Sequence, residues 1–219
     1  MKAILFDSSA LISIASTCSC PLLEKLKKDY KGKFLIPNQI KKEIVDVPSQ
    51  ILRFKHESYR IKQLIDKGII EVVEDSVLDA DELGRVANSI FSANHKDIEI
   101  VHLGELSLLT LAKSMQCDAI VLDERTTRLL VEEPEKLPAL LGSKLHTNIY
   151  TNHGRLKELR EDLRGINILR SADLCTVAYL KGYIEGDKDA LFGLLWALKF
   201  AGCSIAPEEI ADYSKKFIK

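Results

Sequence analysis

Four acidic residues stand at the ends of strand-like runs or in the neighbouring helical patterns: Asp7, Glu43, Glu105 and Asp123. Asp7 directly follows the run Ile4-Leu5-Phe6, and Asp123 directly follows the run 119–122. In an open sheet of parallel strands, ligands bind outside the carboxyl ends of the strands. Carboxylates brought together there repel one another unless a cation joins them. The pattern therefore indicates a Mg²⁺ or Mn²⁺ site, and such sites mostly serve phosphate chemistry.

Each of these acids also has a purely structural explanation. Asp7 or Ser8 is a normal helix N-cap, and Glu43 is suited to pair with a neighbouring lysine. Glu105 lies in the first turn of its helix, where the helix dipole favours a negative charge. Asp123 can cap the helix that follows it. What favours the metal site is that all four acids fall on the same edge of one predicted sheet.

Short, β-branched segments alternate with helical patterns, which predicts an α/β fold with a parallel sheet covered by helices on both faces. The predicted strands are 3–7, 33–36, 69–73, 118–123 and 166–169. The predicted helices before the last strand are 9–16, 21–30, a short one carrying Glu43, a long amphipathic one from Pro48 to Gly68, 79–93 and 104–116. Residues 132–164 are interpreted as an irregular insertion, and the chain from Ser171 onward is predicted to be helical.

The composition limits the function without defining it. The chain has 219 residues, 46% of them hydrophobic and 29% charged, with a net charge of −1. A nucleic-acid partner is therefore not indicated by overall charge, and any basic surface must be local. Five cysteines without framework spacing indicate reduced thiols in a cytoplasmic protein. The longest apolar stretch, 190–201, is interrupted by Lys199 and is too short to span a bilayer, so we expect a soluble protein.

The order and spacing of several short motifs resemble PIN domain nucleases. The motifs are Asp-Ser-Ser-Ala-Leu-Ile at 7–12, Ile36-Pro37 six residues before Glu43, Leu-Gly-Glu at 103–105, Val-Leu-Asp-Glu-Arg at 121–125 and the closing segment 165–171. The resemblance spans residues 1–185, with 132–164 as a probable insertion, and leaves 186–219 as a helical C-terminal extension. It implies a parallel sheet of about five strands flanked by helices.

The resemblance also implies a function. Asp7, Glu43, Glu105 and Asp123 would form a catalytic cluster that binds Mg²⁺ or Mn²⁺ and activates water against an RNA phosphodiester. Ser9 matches a small polar residue that assists the first acid in many members. Glu124 lies in the same window as Asp123 and is the alternative fourth acid; Asp123 is preferred because it immediately ends its strand.

Arg125 and Arg128 follow the acidic edge and lie on one helical face. They are candidates for contacts to substrate phosphates, although surface arginines near a helix start are an equally ordinary explanation.

Other functions remain open. Asp7 as the nucleophile of an aspartyl-phosphate enzyme fits poorly, because phosphatases of the haloacid dehalogenase type have a second Asp where this chain has Ser9. Receiver domains have adjacent acids on the first strand, which Asp7 lacks. The main alternative is a catalytically silent PIN-like scaffold that binds RNA or a protein partner. A toxin role would imply a small antitoxin-like partner.

The apolar stretch 190–201 predicts a helix without a polar face, which has to be covered on every side. The cover would come from the other C-terminal helices or from a second subunit. Because PIN-like proteins are often homodimers, the resemblance favours the second subunit, with Trp196 in the interface.

Overall fold

A computed structural model describes residues 2–74 and 80–216. In this part of the chain, five parallel strands form the central sheet, in the spatial order β3-β2-β1-β6-β8. Their bounds are β1 Ala3–Phe6, β2 Lys33–Pro37, β3 Glu71–Val73, β6 Ala119–Val121 and β8 Ile168–Leu169. All of β1 and most of β2 are buried, as expected for central strands covered on both faces. The predicted parallel α/β sheet is confirmed.

Twelve α-helices surround the sheet in the described part of the chain, together with short π-helical and 3₁₀ turns. They are α1 Ser8–Ser16, α2 Cys20–Tyr30, α3 Asn38–Lys41, α4 Lys55–Asp66, α5 Ala80–Ala87, α6 Leu103–Met115, α7 Arg125–Glu132, α8 Leu137–Leu145, α9 His153–Asp162, α10 Ser171–Leu180, α11 Lys188–Ala201 and α12 Pro207–Lys216. A π-helical turn, Lys42–Asp46, continues α3, and 3₁₀ turns occupy 48–50, 52–54 and 134–136. None of the helices in the described ranges is long and apolar enough to cross a membrane.

Three local predictions were wrong. The predicted long helix from Pro48 begins as two 3₁₀ turns, and α4 starts only at Lys55. The predicted helix over 79–93 ends at Ala87; residue 79 lies outside the described residues. Residues 132–164, predicted to be irregular, contain two helices, α8 and α9, whose buried leucines 137, 141, 156 and 159 pack into the core. The interpretation of this stretch as an insertion stays a prediction.

A second, small sheet was not predicted. It consists of β4 Phe91–Ala93, flanked by β5 Lys96–Asp97 and β7 Tyr150–Thr151, and its pairings are antiparallel. Strands of two or three residues carry too little alternation to be distinguished from turns. The pairing of β4 with β7 also joins segments far apart in the chain.

The C-terminal helices form a small core of their own with α10. It contains Ala172 and Cys175 of α10, three leucines of α11, and Cys203, Ile205 and Ile210 beyond it. All five cysteines are free thiols, and Cys203 is buried as expected, whereas Cys117 is only partly buried. One face of α11 is therefore covered within the chain, and the face that carries Phe200 is not, since Phe200 is 82% exposed.

Candidate metal centre

Three of the four predicted acids line one cavity at the carboxyl edge of the sheet. This acidic cavity has a volume of about 220 Å³ and contains Asp7, Glu43 and Glu105. Its remaining walls are Ser8, Gln39, Ile40, His102 and Gly104. The carboxylates lie at the end of β1, in the turn after α3 and in the first turn of α6. Three segments that are distant in sequence therefore meet outside the carboxyl ends of the parallel strands, where ligands bind in such sheets.

Asp7 is held rigidly where β1 turns into α1. Its backbone N–H donates to the carbonyl of Val121 at 2.9 Å, which ties it to β6. Its Oδ2 accepts hydrogen bonds from the backbone N–H and the hydroxyl of Ser9, at 3.0 and 2.5 Å, so Asp7 is also the N-cap of α1. The capping explanation and the site explanation therefore both apply to this residue.

Burial makes Asp7 a poor place for an isolated negative charge. The residue is 7% exposed, and this burial raises the pKa of its carboxyl to about 6. The hydrogen bonds from Ser9 lower that pKa, and the negative charge of Glu105 raises it further. A cation in the cavity would offset the effects of burial and of Glu105 on the pKa of Asp7, because an opposite charge stabilises the charged carboxylate.

Glu43 projects from an irregular turn. It lies in the π-helical segment Lys42–Asp46, and π turns occur frequently at functional sites. The pairing of Glu43 with a neighbouring lysine is not observed, because Lys41 instead contacts Asp46 at 3.1 Å. Glu43 is exposed and makes no hydrogen bond or ion pair with the described residues.

Glu105 caps its own helix. Its Oε2 accepts a hydrogen bond from the backbone N–H of His102 at 3.1 Å, immediately before α6 begins. The helix N-terminus also favours its negative charge. This residue therefore has a structural role as well as a place in the acidic cavity.

Asp123 is positioned differently. It is fully buried and does not line the acidic cavity. The backbone N–H of Ser171 donates to its Oδ1 at 2.8 Å, and the hydroxyl of Ser171 donates to its Oδ2 at 2.6 Å. Its backbone N–H donates to the hydroxyl of Ser9 at 3.1 Å. Ser9 thus joins the first and fourth acids, and the role of Asp123 as a direct metal ligand stays a prediction.

Two buried thiols adjoin Asp123. Burial raises the pKa of Cys175 to about 12, and the negative charge of Asp123 raises it further. Burial and the same charge raise the pKa of Cys203 to about 12. Both thiols are therefore neutral at physiological pH and do not add to the negative charge at this point.

Two of the secondary candidates, Glu124 and Arg128, have structural partners. Glu124 caps α7 by accepting a hydrogen bond from the backbone N–H of Thr127 at 2.7 Å. Arg128 contacts Glu132 at 3.4 Å, while its Nε is buried without a partner among the described residues. Arg125 is exposed at the start of α7. Their predicted contacts to substrate phosphates stay predictions.

Sequence reasoning missed residues that shape this site. Ser171, which donates two hydrogen bonds to Asp123, follows the end of β8. The same reasoning that selected the acids, their position just beyond the carboxyl end of a parallel strand, would also have selected Ser171. His102 and Gln39 line the acidic cavity, but neither shows a sequence signal beyond its proximity to Glu105 or Glu43.

The residues present fit a hard divalent cation. Three carboxylates line one cavity, and oxygen donors of this kind are preferred by Mg²⁺ and Mn²⁺. The desolvated Asp7 would gain most from a positive charge. As the side chains stand, no three His, Cys, Asp or Glu residues within 2–74 and 80–216 are grouped closely enough to hold a metal ion. Direct ligation by all three carboxylates would therefore need them to move closer together, whereas Mg²⁺ commonly keeps several of its waters and binds one or two carboxylates directly.

Comparison with known proteins supports one relationship. The family model DUF3368, described as a PIN domain, matches residues 3–135 of the chain. This range contains all four predicted acids and ends within the 3₁₀ turn that precedes α8. No curated protein and no solved structure matches the chain at a significant level.

Proposed function

Because this chain belongs to the PIN-domain family, whose members are generally nucleases, we propose that it hydrolyses RNA phosphodiester bonds with the help of Mg²⁺ or Mn²⁺. The observation that carries the proposal is the acidic cavity, where three carboxylates from distant segments meet. The raised pKa of Asp7 supports it, because a cavity of this kind favours a positively charged occupant.

The proposed roles follow from the positions of the residues. Asp7, Glu43 and Glu105 hold the cation, and a cation bound there supplies an activated water and neutralises charge on the phosphate. Ser9 orients Asp7 through two hydrogen bonds and links it to Asp123. Asp123 positions this edge of the sheet through Ser171, and it joins the ligand set if a second cation binds. Arg125 contacts the RNA backbone.

Conversion of Glu43 or Glu105, the two less buried acids of the acidic cavity, to its amide should impair cleavage. We expect Glu43→Gln or Glu105→Gln to lower the rate of Mg²⁺-dependent RNA cleavage by about ten- to a thousand-fold. Each substitution removes one charged ligand of a metal ion that would stabilise the transition state by several kcal/mol. The measurement is cleavage of single-stranded and structured RNA with Mg²⁺, with Mn²⁺ and with excess EDTA.

Glu158→Gln is the matched control for these variants. Glu158 is an exposed helical acid that contacts Arg155 at 3.0 Å and does not line the acidic cavity. We expect it to cleave at the wild-type rate. Full activity in EDTA would reject the metal-dependent mechanism, and RNA binding without any cleavage would favour the catalytically silent scaffold.

We also propose that the chain forms a homodimer through α11. Its uncovered face carries an aromatic ladder, which we define as Phe192, Trp196 and Phe200. The ring centroids of Phe192 and Trp196 are 6.3 Å apart, and those of Trp196 and Phe200 are 5.8 Å apart. A second copy of the chain, packing the same face against this one, would cover the ladder by two-fold symmetry.

A small antitoxin-like protein is a second proposed partner, which a short adjacent reading frame would support.

Light scattering at micromolar concentration tests the dimer. We expect a mass near twice 24.6 kDa for the wild type. Phe200→Glu should yield a folded monomer, because Phe200 is 82% exposed in the single chain, and Trp196→Glu should dissociate or unfold the protein. Tyr150→Glu, which changes an equally large exposed ring elsewhere, should leave the mass unchanged. A wild-type mass near 24.6 kDa would reject the dimer.

A further inference from the structure

A second cavity adjoins the acidic cavity and has a different character. This apolar pocket has a volume of about 430 Å³, within the range of roughly 300–1,000 Å³ typical of small-molecule sites. Its walls include Ile12, Pro48, Phe54 and Ile61. Ile12 and Phe54 are 39% and 45% exposed. The pocket is therefore open, and its apolar walls face solvent.

One buried polar atom in the lining of the apolar pocket lacks a hydrogen-bond partner among the described residues. This atom is Oε2 of Glu57. Burial of an unpaired carboxylate oxygen is unfavourable, and a ligand that donates an N–H group would remove this cost. Glu57 lies in the first turn of α4, where the helix dipole stabilises its charge but does not supply the missing hydrogen bond.

The rim of the apolar pocket carries an aromatic ring beside a cation. The guanidinium carbon of Arg53 lies 5.4 Å from the ring centroid of Phe54, and both residues line the pocket. Unpaired bases of single-stranded RNA stack on aromatic rings and on arginine planes. A nucleotide would use both groups at once, because its base stacks on the ring of Phe54 and its phosphate pairs with the guanidinium of Arg53.

Glu43 connects the two cavities, because it lines both of them. A base in the apolar pocket would therefore lie next to a phosphodiester in the acidic cavity. Guanine carries two adjacent N–H donors on its Watson–Crick edge, and these match the two oxygens of one carboxylate. Adenine presents one donor there, and inosine keeps only one of guanine's two.

We infer that the apolar pocket holds an unpaired guanine of the RNA substrate, stacked on Phe54 and hydrogen-bonded to Glu57, beside the phosphodiester that is cut. The inference rests on the proposed function, and it assigns a base preference to the same site. It concerns the pocket that 3₁₀ turns and α4 build next to Glu43, not the acids themselves.

Binding of short adenosine oligonucleotides with one central guanosine, inosine or adenosine tests the inference. Fluorescence anisotropy, with Ca²⁺ replacing Mg²⁺, should show the tightest binding for guanosine and intermediate binding for inosine. Phe54→Ala should weaken guanosine binding by about 5- to 100-fold, the range measured for base stacking on an aromatic residue. Glu57→Gln should abolish the preference for guanosine over adenosine.

Tyr59→Ala is the matched control for Phe54→Ala, because Tyr59 is an exposed aromatic residue of α4, five positions after Phe54, and does not line the apolar pocket. It should bind all three oligonucleotides like the wild type. Equal affinities for the three, unchanged by Phe54→Ala and Glu57→Gln, would overturn the inference and leave the pocket to a protein segment. Metal-dependent cleavage without a guanosine preference would refute the inference alone. A guanosine preference without cleavage would refute the proposed function alone.

Discussion

Asp7→Asn is expected to abolish RNA cleavage and, in the absence of metal, to make the protein more stable at neutral pH. Cleavage should fall by about a hundred- to a thousand-fold or more, because the substitution removes the most buried ligand of the proposed metal site. Asparagine keeps the shape of the side chain and an oxygen that can accept the hydrogen bonds from Ser9. The fold should therefore remain intact.

The gain in stability follows from the pKa of Asp7. Burial raises this pKa from 3.8 to about 6 in the folded protein. Between these values the folded state binds more protons than the unfolded state, so the free energy of unfolding decreases as pH rises from about 4 to about 6. Two pKa units correspond to roughly 3 kcal/mol as an upper bound, and we expect Asp7→Asn to recover about 1–3 kcal/mol at pH 7.

Urea unfolding in EDTA, at several pH values between 4 and 7.5, measures this effect. The wild type should lose stability through that window, whereas Asp7→Asn should not. Mg²⁺ should stabilise the wild type selectively, since binding to the folded state raises its stability. Asp66→Asn, at an exposed ion pair with Lys62, is the control and should change little. An Asp7→Asn protein less stable than the wild type at pH 7 in EDTA would contradict the argument.

Arg170→Ala is expected to lower the free energy of unfolding by about 2–4 kcal/mol. The guanidinium of Arg170 donates to Asp173, Glu209 and Tyr213 at 3.0–3.3 Å, and the side chain is only 8% exposed. Tyr213 in turn donates to Asp173. Removal of one partner from a buried network leaves the others uncompensated, which costs about 3–5 kcal/mol when burial is complete. Glu209 is 41% exposed, so the expected loss is smaller.

Chemical denaturation of Arg170→Ala beside Arg160→Ala measures this loss. Arg160 contacts Glu135 at 2.7 Å, but both side chains are more than half exposed, so its removal should cost about 0–1 kcal/mol. Equal small losses in the two variants would show that Arg170 does not anchor α12. Because Arg170 precedes Ser171, which holds Asp123, cleavage should also fall in Arg170→Ala at temperatures where the protein remains folded.

The sequence predicts the central sheet well because its strands are short, continuous apolar runs that fit no other element. The prediction of α-helix between Pro48 and Lys55 was wrong, because Ile51 and Phe54 have helical spacing but are exposed. Periodicity reports that apolar residues recur, but it does not distinguish a face that packs into the core from one that lines an open pocket. The antiparallel sheet around β4 depends on pairing with β7, which no local pattern contains.

For the candidate site, the sequence predicts which acids reach the carboxyl edge of the sheet, because strand ends and helix starts fix their direction. Asp7, Glu43 and Glu105 do line one cavity. The sequence does not predict that Asp123 is fully buried with both oxygens engaged by Ser171. That arrangement depends on the register between β6 and β8 and on the covering C-terminal helices, which are tertiary features.

The hydrogen bonds of Asp123 also bear on the order of events during synthesis. Asp123 leaves the ribosome 48 residues before Ser171, and its carbonyl accepts its hydrogen bond from Ser204 still later in the chain. At about 5–20 residues per second, Ser171 follows after several seconds. During that interval a carboxylate destined for full burial lacks its donors, so this edge of the sheet cannot close. Synthesis of the chain through Ser204 therefore sets the earliest time at which the nascent protein can complete this edge of the sheet.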